Sequence, residues 1–279
     1  MTGPYVFIEE ARSLAIRKTA YFNKAGFMAY SHLIDEHGCT GFSIEVEDVA
    51  ENELQDYFSP DFSNIRKKGD IVEIGIVGSG AFSEDFDLDV FKNFRNVKKI
   101  TTHGLSFRSR LPELFPKLET WLNLDWKTNK VEYLGNRCPD LKNLALHGFS
   151  GSLALFENSP IRKFFLISST IKDIDDILRF KDLEVLQLVS SRITGDVSRL
   201  SELPKLRSLR FEGKDKLEGW DKLASRSLEN FEASHYPCKF PRENFPKLEN
   251  YVINAYRARD PFFEEGGDRD ALCDQFAAV

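Results

Sequence analysis

The chain has 279 residues, and 44 acidic against 38 basic side chains give it a formal net charge of −6. This acidic balance argues against a general nucleic-acid binder and against a protein that binds anionic membranes, since both normally show a basic face. No apolar run approaches the roughly 18 residues of a membrane span. Glu9 and Glu10 interrupt the N-terminal segment before a secretory hydrophobic stretch develops. We therefore expect a cytoplasmic protein with no nucleic-acid and no membrane partner.

Residues 1–70 carry no regular repeat, and we expect them to form an N-terminal cap of mixed structure. The alternation in GFSIEVEDV, residues 41–49, predicts a strand that pairs with the first strand of the following region. A separate small domain is the alternative reading of this segment. His32 and His37 lie five residues apart with Asp35 and Glu36 between them, a spacing that favours a solvated turn over a metal site.

From residue 71 onward one pattern recurs: an apolar residue, two variable residues, a second apolar residue, one variable residue and a third apolar residue. The nine copies start 20 to 26 residues apart, with a mean spacing near 22. Several copies follow a Pro, which ends the preceding turn and lets a strand begin. The clearest copies are 141–146, 183–188 and 206–211, and the others start at Ile71, Val97, Leu118, Ile161, Leu228 and Leu248.

This pattern resembles the leucine-rich repeat superfamily over residues 71–256, because repeats of that superfamily have a period of about 20–29 residues. The resemblance implies an α/β solenoid of about nine units, with a parallel sheet on the concave face and short helices or 3-10 turns on the convex face. The superfamily usually has Asn at the ninth position of each unit, where this chain has Ser79, Ser169, Ser191 or a bulky residue. We expect the serines to bond the backbone and the bulky residues to fill uneven turns by packing.

Phenylalanine is abundant at 24 residues, and many of these residues stand between the predicted strands. We expect them to form a packed spine behind the sheet. They are Phe86, Phe91, Phe94, Phe115, Phe156, Phe180 and Phe245.

From Asp260 onward the chain carries six acidic side chains and one Arg. Residues 257–279 therefore predict an acidic C-terminal cap or tail in which Phe262 and Phe263 seal the last repeat. The four cysteines, Cys39, Cys138, Cys238 and Cys273, are scattered through the chain. This spacing is typical of reduced thiols rather than of a disulfide scaffold or a zinc site.

The sequence lacks the nucleotide-binding loops GxxxxGK[ST] and GxGxxG, the nucleophile elbow GxSxG and the zinc motif HExxH. We therefore expect a protein that is not an enzyme and binds no metal or cofactor. An enzyme that uses His103, His147 and Asp125 across the concave face is a further alternative.

Side chains alternate between the two faces of a strand, so the third, fifth and seventh residues of each unit should face the concave side. In the middle units these residues are apolar, and charged or polar residues surround them, as at protein interfaces. A terminal segment folded over the patch and a register error in the third and fifth units are the alternatives. The predicted partner-binding residues are Leu122, Leu124, His147, Lys163, Phe165, Ile167, Val185, Val189, Arg210, Glu212 and Glu232.

These observations predict a non-catalytic protein-binding module that is a monomer when free and sequesters a protein partner on its concave face. Small acidic leucine-rich repeat proteins are similar in type to bacterial immunity proteins, and that resemblance implies neutralisation of a cognate toxin. A basic toxin domain would suit the net charge of −6. The alternative is an adaptor or substrate receptor in which residues 1–70 dock to a larger complex.

Overall fold

The structure is a computed structural model that describes residues 6–12, 16–23, 31–46, 62–78, 85–86, 88–103, 106–107, 114–123, 139–213, 216–234, 240–255 and 262–266. The chain divides into two compact units, residues 1–140 and 141–279, and each is described by itself.

The described residues of the first unit are mainly strands joined by short 3-10 helices, with one α-helix, α1 (Leu33–Glu36). Its 3-10 helices are Phe62–Asn64, Lys68–Asp70 and Leu88–Phe91. Its strands are β1 (Val6–Arg12), β2 (Ile16–Asn23), β3 (Gly41–Val46), β4 (Glu73–Gly78), β5 (Asp85–Phe86), β6 (Lys99–His103), β7 (Ser106–Phe107) and β8 (Thr120–Asn123).

Six of these strands form a sheet in the order β1-β2-β3-β4-β6-β8, while β5 and β7 form a small parallel pair. All neighbours in the sheet are parallel except the β1–β2 hairpin at its edge. Strand β3 pairs with β4, which confirms the prediction from GFSIEVEDV. Strands β2 and β3 therefore extend the parallel ladder into the segment that we expected to be a mixed cap.

The second unit is built from nine strands and five 3-10 helices in its described residues. The 3-10 helices are Leu153–Phe156, Ile174–Arg179, Val197–Glu202, Trp220–Lys222 and Arg242–Asn244. The strands are β9 (Asn143–His147), β10 (Lys163–Ile167), β11 (Val185–Val189), β12 (Thr194–Asp196), β13 (Ser208–Glu212), β14 (Lys216–Glu218), β15 (Asn230–Ser234), β16 (Asn250–Ala255) and β17 (Phe262–Gly266).

Its sheet has the order β9-β10-β11-β13-β15-β16-β17, and only β17 runs antiparallel to its neighbour. Strand β17 contains Phe262 and Phe263, and it covers the outer edge of β16 with backbone hydrogen bonds. Strands β12 and β14 form a separate parallel pair.

The repeat pattern predicts the parallel strands correctly in both units. All nine predicted strands begin two residues after the first apolar residue of the motif, for example at Asn143 after Leu141 and at Val185 after Leu183. The motif's apolar positions are buried, with Tyr251 as the half-buried exception. Apolar burial drives this arrangement, because each repeat directs its three motif positions toward the core of its own unit.

The segments between strands also match their prediction. They form 3-10 helices, and the predicted phenylalanines with described side chains are buried behind the sheet, while the side chain of Phe86 lies outside the described residues. The rings of Phe164 and Phe180 meet edge to face at 5.4 Å.

Serine hydroxyls tie consecutive turns of the second unit together. The Ser169 hydroxyl accepts from the Phe149 amide at 3.0 Å, and the Ser191 hydroxyl accepts from the Ser169 amide at 3.3 Å. The Ser191 hydroxyl also lies 3.1 Å from the Leu166 carbonyl oxygen. These bonds confirm the backbone role predicted for the two serines, and buried Phe149 fills its turn as expected; Ser79 lies outside the described residues.

The residue after each strand adopts a left-handed backbone conformation in three consecutive repeats. Its φ is 70° at Gly148, 47° at Ser168 and 49° at Ser190. A left-handed conformation costs little at glycine and more at residues with a Cβ atom. The two serines therefore occupy positions better suited to glycine.

Charged side chains of alternating sign follow the first apolar residue in four successive repeats of the second unit, from Arg162 to Glu229, whereas Lys142 before them and Glu249 after them repeat the sign of their neighbour. Arg162 lies 3.7 Å from Glu184, and Arg207 lies 2.8 Å from Glu229. The amide of Arg207 donates to the Glu184 carbonyl in the preceding repeat, so the charges stand in step with the backbone ladder.

Candidate protein-binding face

The predicted binding residues of the second unit lie on the sheet face opposite its leucine core, which we call the open face. Parallel pairing without any shift places equivalent residues of neighbouring repeats side by side. The seventh positions form one such row, in which Ile167 stands between His147 and Val189, and Val189 stands beside Glu212. The strands therefore bring together seven predicted residues of neighbouring repeats: His147, Lys163, Ile167, Val189, Arg210, Glu212 and Glu232.

The apolar part of the open face is smaller than the sequence predicts. Ile167 and Val189 are half-buried and paired in register. Phe165 is only 4% exposed and Val185 only 6%, which corrects the expectation that both are open to solvent. Phe165 lies in the middle row between Ala145 and Gln187, where side chains of adjacent strands about 4.8 Å apart cover one another.

The charged part of the open face centres on Arg210. Its guanidinium lies 3.0 Å from a Glu212 carboxylate oxygen and 3.3 Å from one of Glu232. The Glu212 side chain remains 45% exposed, compared with 22% for Glu232. Two carboxylates thus flank one guanidinium, and Glu212 presents the more accessible negative charge.

Three polar side chains form a hydrogen-bonded row that the sequence analysis missed. The Asn250 amide donates to the Asn230 amide oxygen at 2.9 Å, and the Asn230 amide donates to the Ser208 hydroxyl at 3.0 Å. All three residues occupy the third position of their repeats. The shared third position could have predicted this row from the sequence, because polar side chains in one row of a parallel sheet are close enough to form hydrogen bonds. The row holds the polar half of the open face in one arrangement.

The predicted residues before position 141 belong to the first unit. Leu122 is half-buried on β8, while Leu124 and Asp125 lie outside the described residues. On the neighbouring strands of this unit, Lys99 and Glu73 form an ion pair at 3.2 Å. The described residues therefore assign the compact group of predicted side chains to the second unit.

Within the described ranges no cluster of three or more His, Cys, Asp or Glu residues is arranged to hold a metal ion. Cys39 is a buried thiol, and the other three cysteines lie outside the described residues.

The perturbed titrating groups lie in exposed ion pairs and caps on the turns, away from the open face. A hydrogen bond from Lys205 lowers the pKa of Asp182, and a hydrogen bond to Glu202 raises the pKa of Arg199. Both shifts arise from salt bridges between or within turns, which stabilise the turns weakly at the surface.

No helix among the described residues is long and apolar enough to cross a membrane.

Comparison with known proteins identifies the fold through solved structures, since no protein-family model and no curated protein matches the sequence. The structure of Drosophila Toll in complex with Spatzle is 14% identical, with a TM-score of 0.54, and covers 84% of this chain and 32% of the Toll chain. An internalin from Listeria monocytogenes is 16% identical, with a TM-score of 0.42 and coverage of 76% and 73%. The plant receptor RGFR1 in complex with RGF2 is 16% identical, with a TM-score of 0.41 and coverage of 77% and 36%. The likeness to Toll shows the leucine-rich repeat fold.

Proposed function

We propose that this leucine-rich repeat chain is a non-catalytic module that binds a protein partner on the open face of its second unit. The observation that carries the proposal is the pair Ile167 and Val189, two half-buried apolar side chains held side by side and bordered by Glu212 and Arg210. An apolar centre with a polar border is typical of protein interfaces. Toll, which shares the fold, is solved with Spatzle bound.

A fixed sheet supports binding because its side chains are ordered before the partner arrives. Backbone pairing sets the positions of the strands, and the Asn250–Asn230–Ser208 row and the ion pairs of Arg210 restrain side chains between them. Binding to such a surface loses less conformational entropy than binding to a flexible one.

The specific role that we infer is sequestration of the partner, as by an immunity protein that neutralises a toxin in the cytoplasm. A net charge of −6 favours a basic partner, because electrostatic attraction speeds association. In this role the chain blocks the active surface of its partner and needs no residue that reacts.

An adaptor that recruits a client to a larger complex is the second candidate. The segment before residue 71 contributes two parallel strands to the sheet of the first unit, so it contains ordered structure beyond the nine predicted repeats. An adaptor predicts that two different proteins bind the chain at once, whereas sequestration predicts one.

A double substitution, Ile167→Asp with Val189→Asp, tests the binding face. Tagged wild-type chain captures the partner from a native lysate, mass spectrometry identifies it, and titration calorimetry measures its affinity for each purified variant. We expect the double variant to weaken binding by about 30-fold or more, as for an interface hot spot of about 2 kcal/mol.

The matched control is Asn158→Asp with Ser201→Asp, since both residues are exposed outside the sheet of the open face and the pair adds the same two negative charges. Circular dichroism should show the same folded spectrum for both double variants. Undiminished affinity in the Ile167→Asp and Val189→Asp variant would place the partner on another surface.

A further inference from the structure

We propose that the partner contributes to the open face a segment with an apolar side chain followed two residues later by Lys or Arg. The apolar side chain packs between Ile167 and Val189, and the basic side chain meets Glu212. This inference rests on the proposed function and names the chemistry that the face selects.

The register of the sheet puts the two contacts in one row. Ile167, Val189 and Glu212 are direct neighbours on β10, β11 and β13. With strands about 4.8 Å apart, the point midway between Ile167 and Val189 lies about 7 Å from Glu212. In an extended segment, residues two apart point the same way and are also about 7 Å apart. A segment that crosses the strands can therefore make both contacts at once.

The charges beside the apolar pair favour a cation. Glu212, Glu232 and Arg210 together carry two negative charges and one positive charge, and the Glu212 carboxylate is 45% exposed although it already contacts Arg210. An added cation at Glu212 is attracted by the local excess, whereas an added carboxylate is repelled. The same arrangement provides selectivity, because like charges at an interface disfavour the wrong partner.

The ion pairs of Arg210 restrain the orientation of the Glu212 and Glu232 carboxylates. Its guanidinium holds Glu212 on its own strand and Glu232 on the next strand, at 3.0 Å and 3.3 Å. A carboxylate restrained in this way loses less side-chain entropy when a cation arrives.

Selection from a phage library of random nine-residue peptides on the immobilised full chain tests the proposal. We expect enrichment of peptides in which Leu, Ile, Val or Phe precedes Lys or Arg by two positions. The same selection on Glu212→Lys should replace the basic residue by Asp or Glu, and selection on Ile167→Asp should lose the apolar residue. The matched control, Glu218→Lys, changes the net charge equally at an exposed residue of β14 and should leave the enriched pattern unchanged.

The proposal is overturned by enrichment without a basic residue, by a pattern that Glu212→Lys leaves unchanged, or by no enrichment. The last result would also follow if a second copy or another part of this chain occupied the face. The proposed function fails separately, when the lysate partner binds the Ile167→Asp and Val189→Asp variant normally. If the lysate partner binds the Ile167→Asp and Val189→Asp variant weakly but binds Glu212→Lys normally, the proposed function stands and only the proposed selection for a basic residue is wrong.

Discussion

The first unit and the middle repeats of the second unit build similar parallel strands but fill the space behind them differently. The last repeats of the second unit resemble the first unit, since Phe231, Phe240, Phe245 and Tyr251 form an aromatic cluster there. In the first unit Phe42, Phe62, Phe91 and Phe94 form one cluster, with ring centroids 5.3 to 6.4 Å apart. In the middle repeats of the second unit the corresponding core is largely aliphatic, and Phe180 contacts the ring of Phe164.

The difference shows that the same strand motif is compatible with either aromatic or aliphatic packing behind the sheet. Large rings bury much apolar area each and prefer edge-to-face or offset pairs with centroids about 4.5–7 Å apart. Aliphatic side chains of similar size suit turns that repeat in step, where hydroxyl bonds such as that from the Ser169 amide to Ser191 set the spacing. Core substitutions in these two regions should therefore lower the stability of the chain for different reasons.

The largest effect is expected from a charge in the regular core. Leu186 is fully buried on β11, and Leu186→Asp should unfold the second unit, because an unpaired carboxylate loses its hydration there. Circular dichroism should show loss of the cooperative thermal transition of this unit. Gln187→Asp is the control on the open face one residue later and should leave that transition in place; similar unfolding by both variants would show that the assignment of the two faces is wrong.

The aromatic cluster should be more sensitive than the single ring pair. Phe91 contacts Phe42, Phe62 and Phe94, so Phe91→Leu should cost about 1–3 kcal/mol more unfolding free energy than Phe180→Leu, at about 0.5–1.5 kcal/mol for each aromatic pair. Urea denaturation measures both values. Equal costs would mean that shape alone, rather than ring contacts, sets the packing of the first unit.

The serine bonds of the second unit should contribute a smaller but measurable amount. Ser191→Ala removes the acceptor of the Ser169 amide and leaves buried backbone groups without their partner, at a cost of about 1–3 kcal/mol. The control Ser201→Ala removes an exposed hydroxyl that accepts from the Ala224 amide. Urea unfolding should separate the two variants, and a Ser191→Ala variant as stable as the control would show that the hydroxyl does not support the turn.

Glycine at the positions with a left-handed backbone should increase the stability of the chain, whereas the substitutions above decrease it. Ser168→Gly should stabilise the chain by up to about 1 kcal/mol, since glycine adopts φ of 47° without the strain of a Cβ atom. The reciprocal change at the same repeat position, Gly148→Ser, should destabilise it by a similar amount. Thermal unfolding that moves in the same direction for both variants would contradict this account.

The smallest effect is expected at acid pH. Hydrogen bonds from Lys205 and Arg199 lower the pKa of Asp182 and Glu202 below their ordinary values of 3.8 and 4.5. Their stabilisation is present above those values and is lost as pH falls through the lowered pKa of the folded state. The unfolding temperature should therefore decline as pH falls below about 4.5. A double variant, Asp182→Asn with Glu202→Gln, should decline less steeply, and an identical slope would show that other carboxylates control the acid response.

The sequence alone predicts the strands because burial repeats with the backbone. Ile74, Leu144 and Leu186 recur in phase and all face the core, so periodicity alone is sufficient to place their strands. The serine bonds were also predictable, because the hydroxyls of Ser169 and Ser191 stand at the position where the superfamily usually has an amide.

The exposure of individual face residues was not predictable to the same degree. Alternation gives the face on which Phe165 lies, but its 4% exposure depends on how side chains of adjacent strands cover it. The Asn250–Asn230–Ser208 row depends likewise on neighbours in other repeats, which local periodicity does not describe. That the seven half-buried members of the predicted set in the second unit bind a partner stays a prediction.

The alternation of Arg162, Glu184, Arg207 and Glu229 constrains how such a chain can grow or shrink. Loss of the single turn that carries Glu184 would set Arg162 beside Arg207, and insertion of one extra copy would likewise juxtapose two equal charges. A change by two turns, about 44 residues or twice the mean period, would keep the alternation. The preference is weak, because an exposed ion pair contributes about 1 kcal/mol or less and this chain already places Lys142 beside Arg162 and Glu229 beside Glu249.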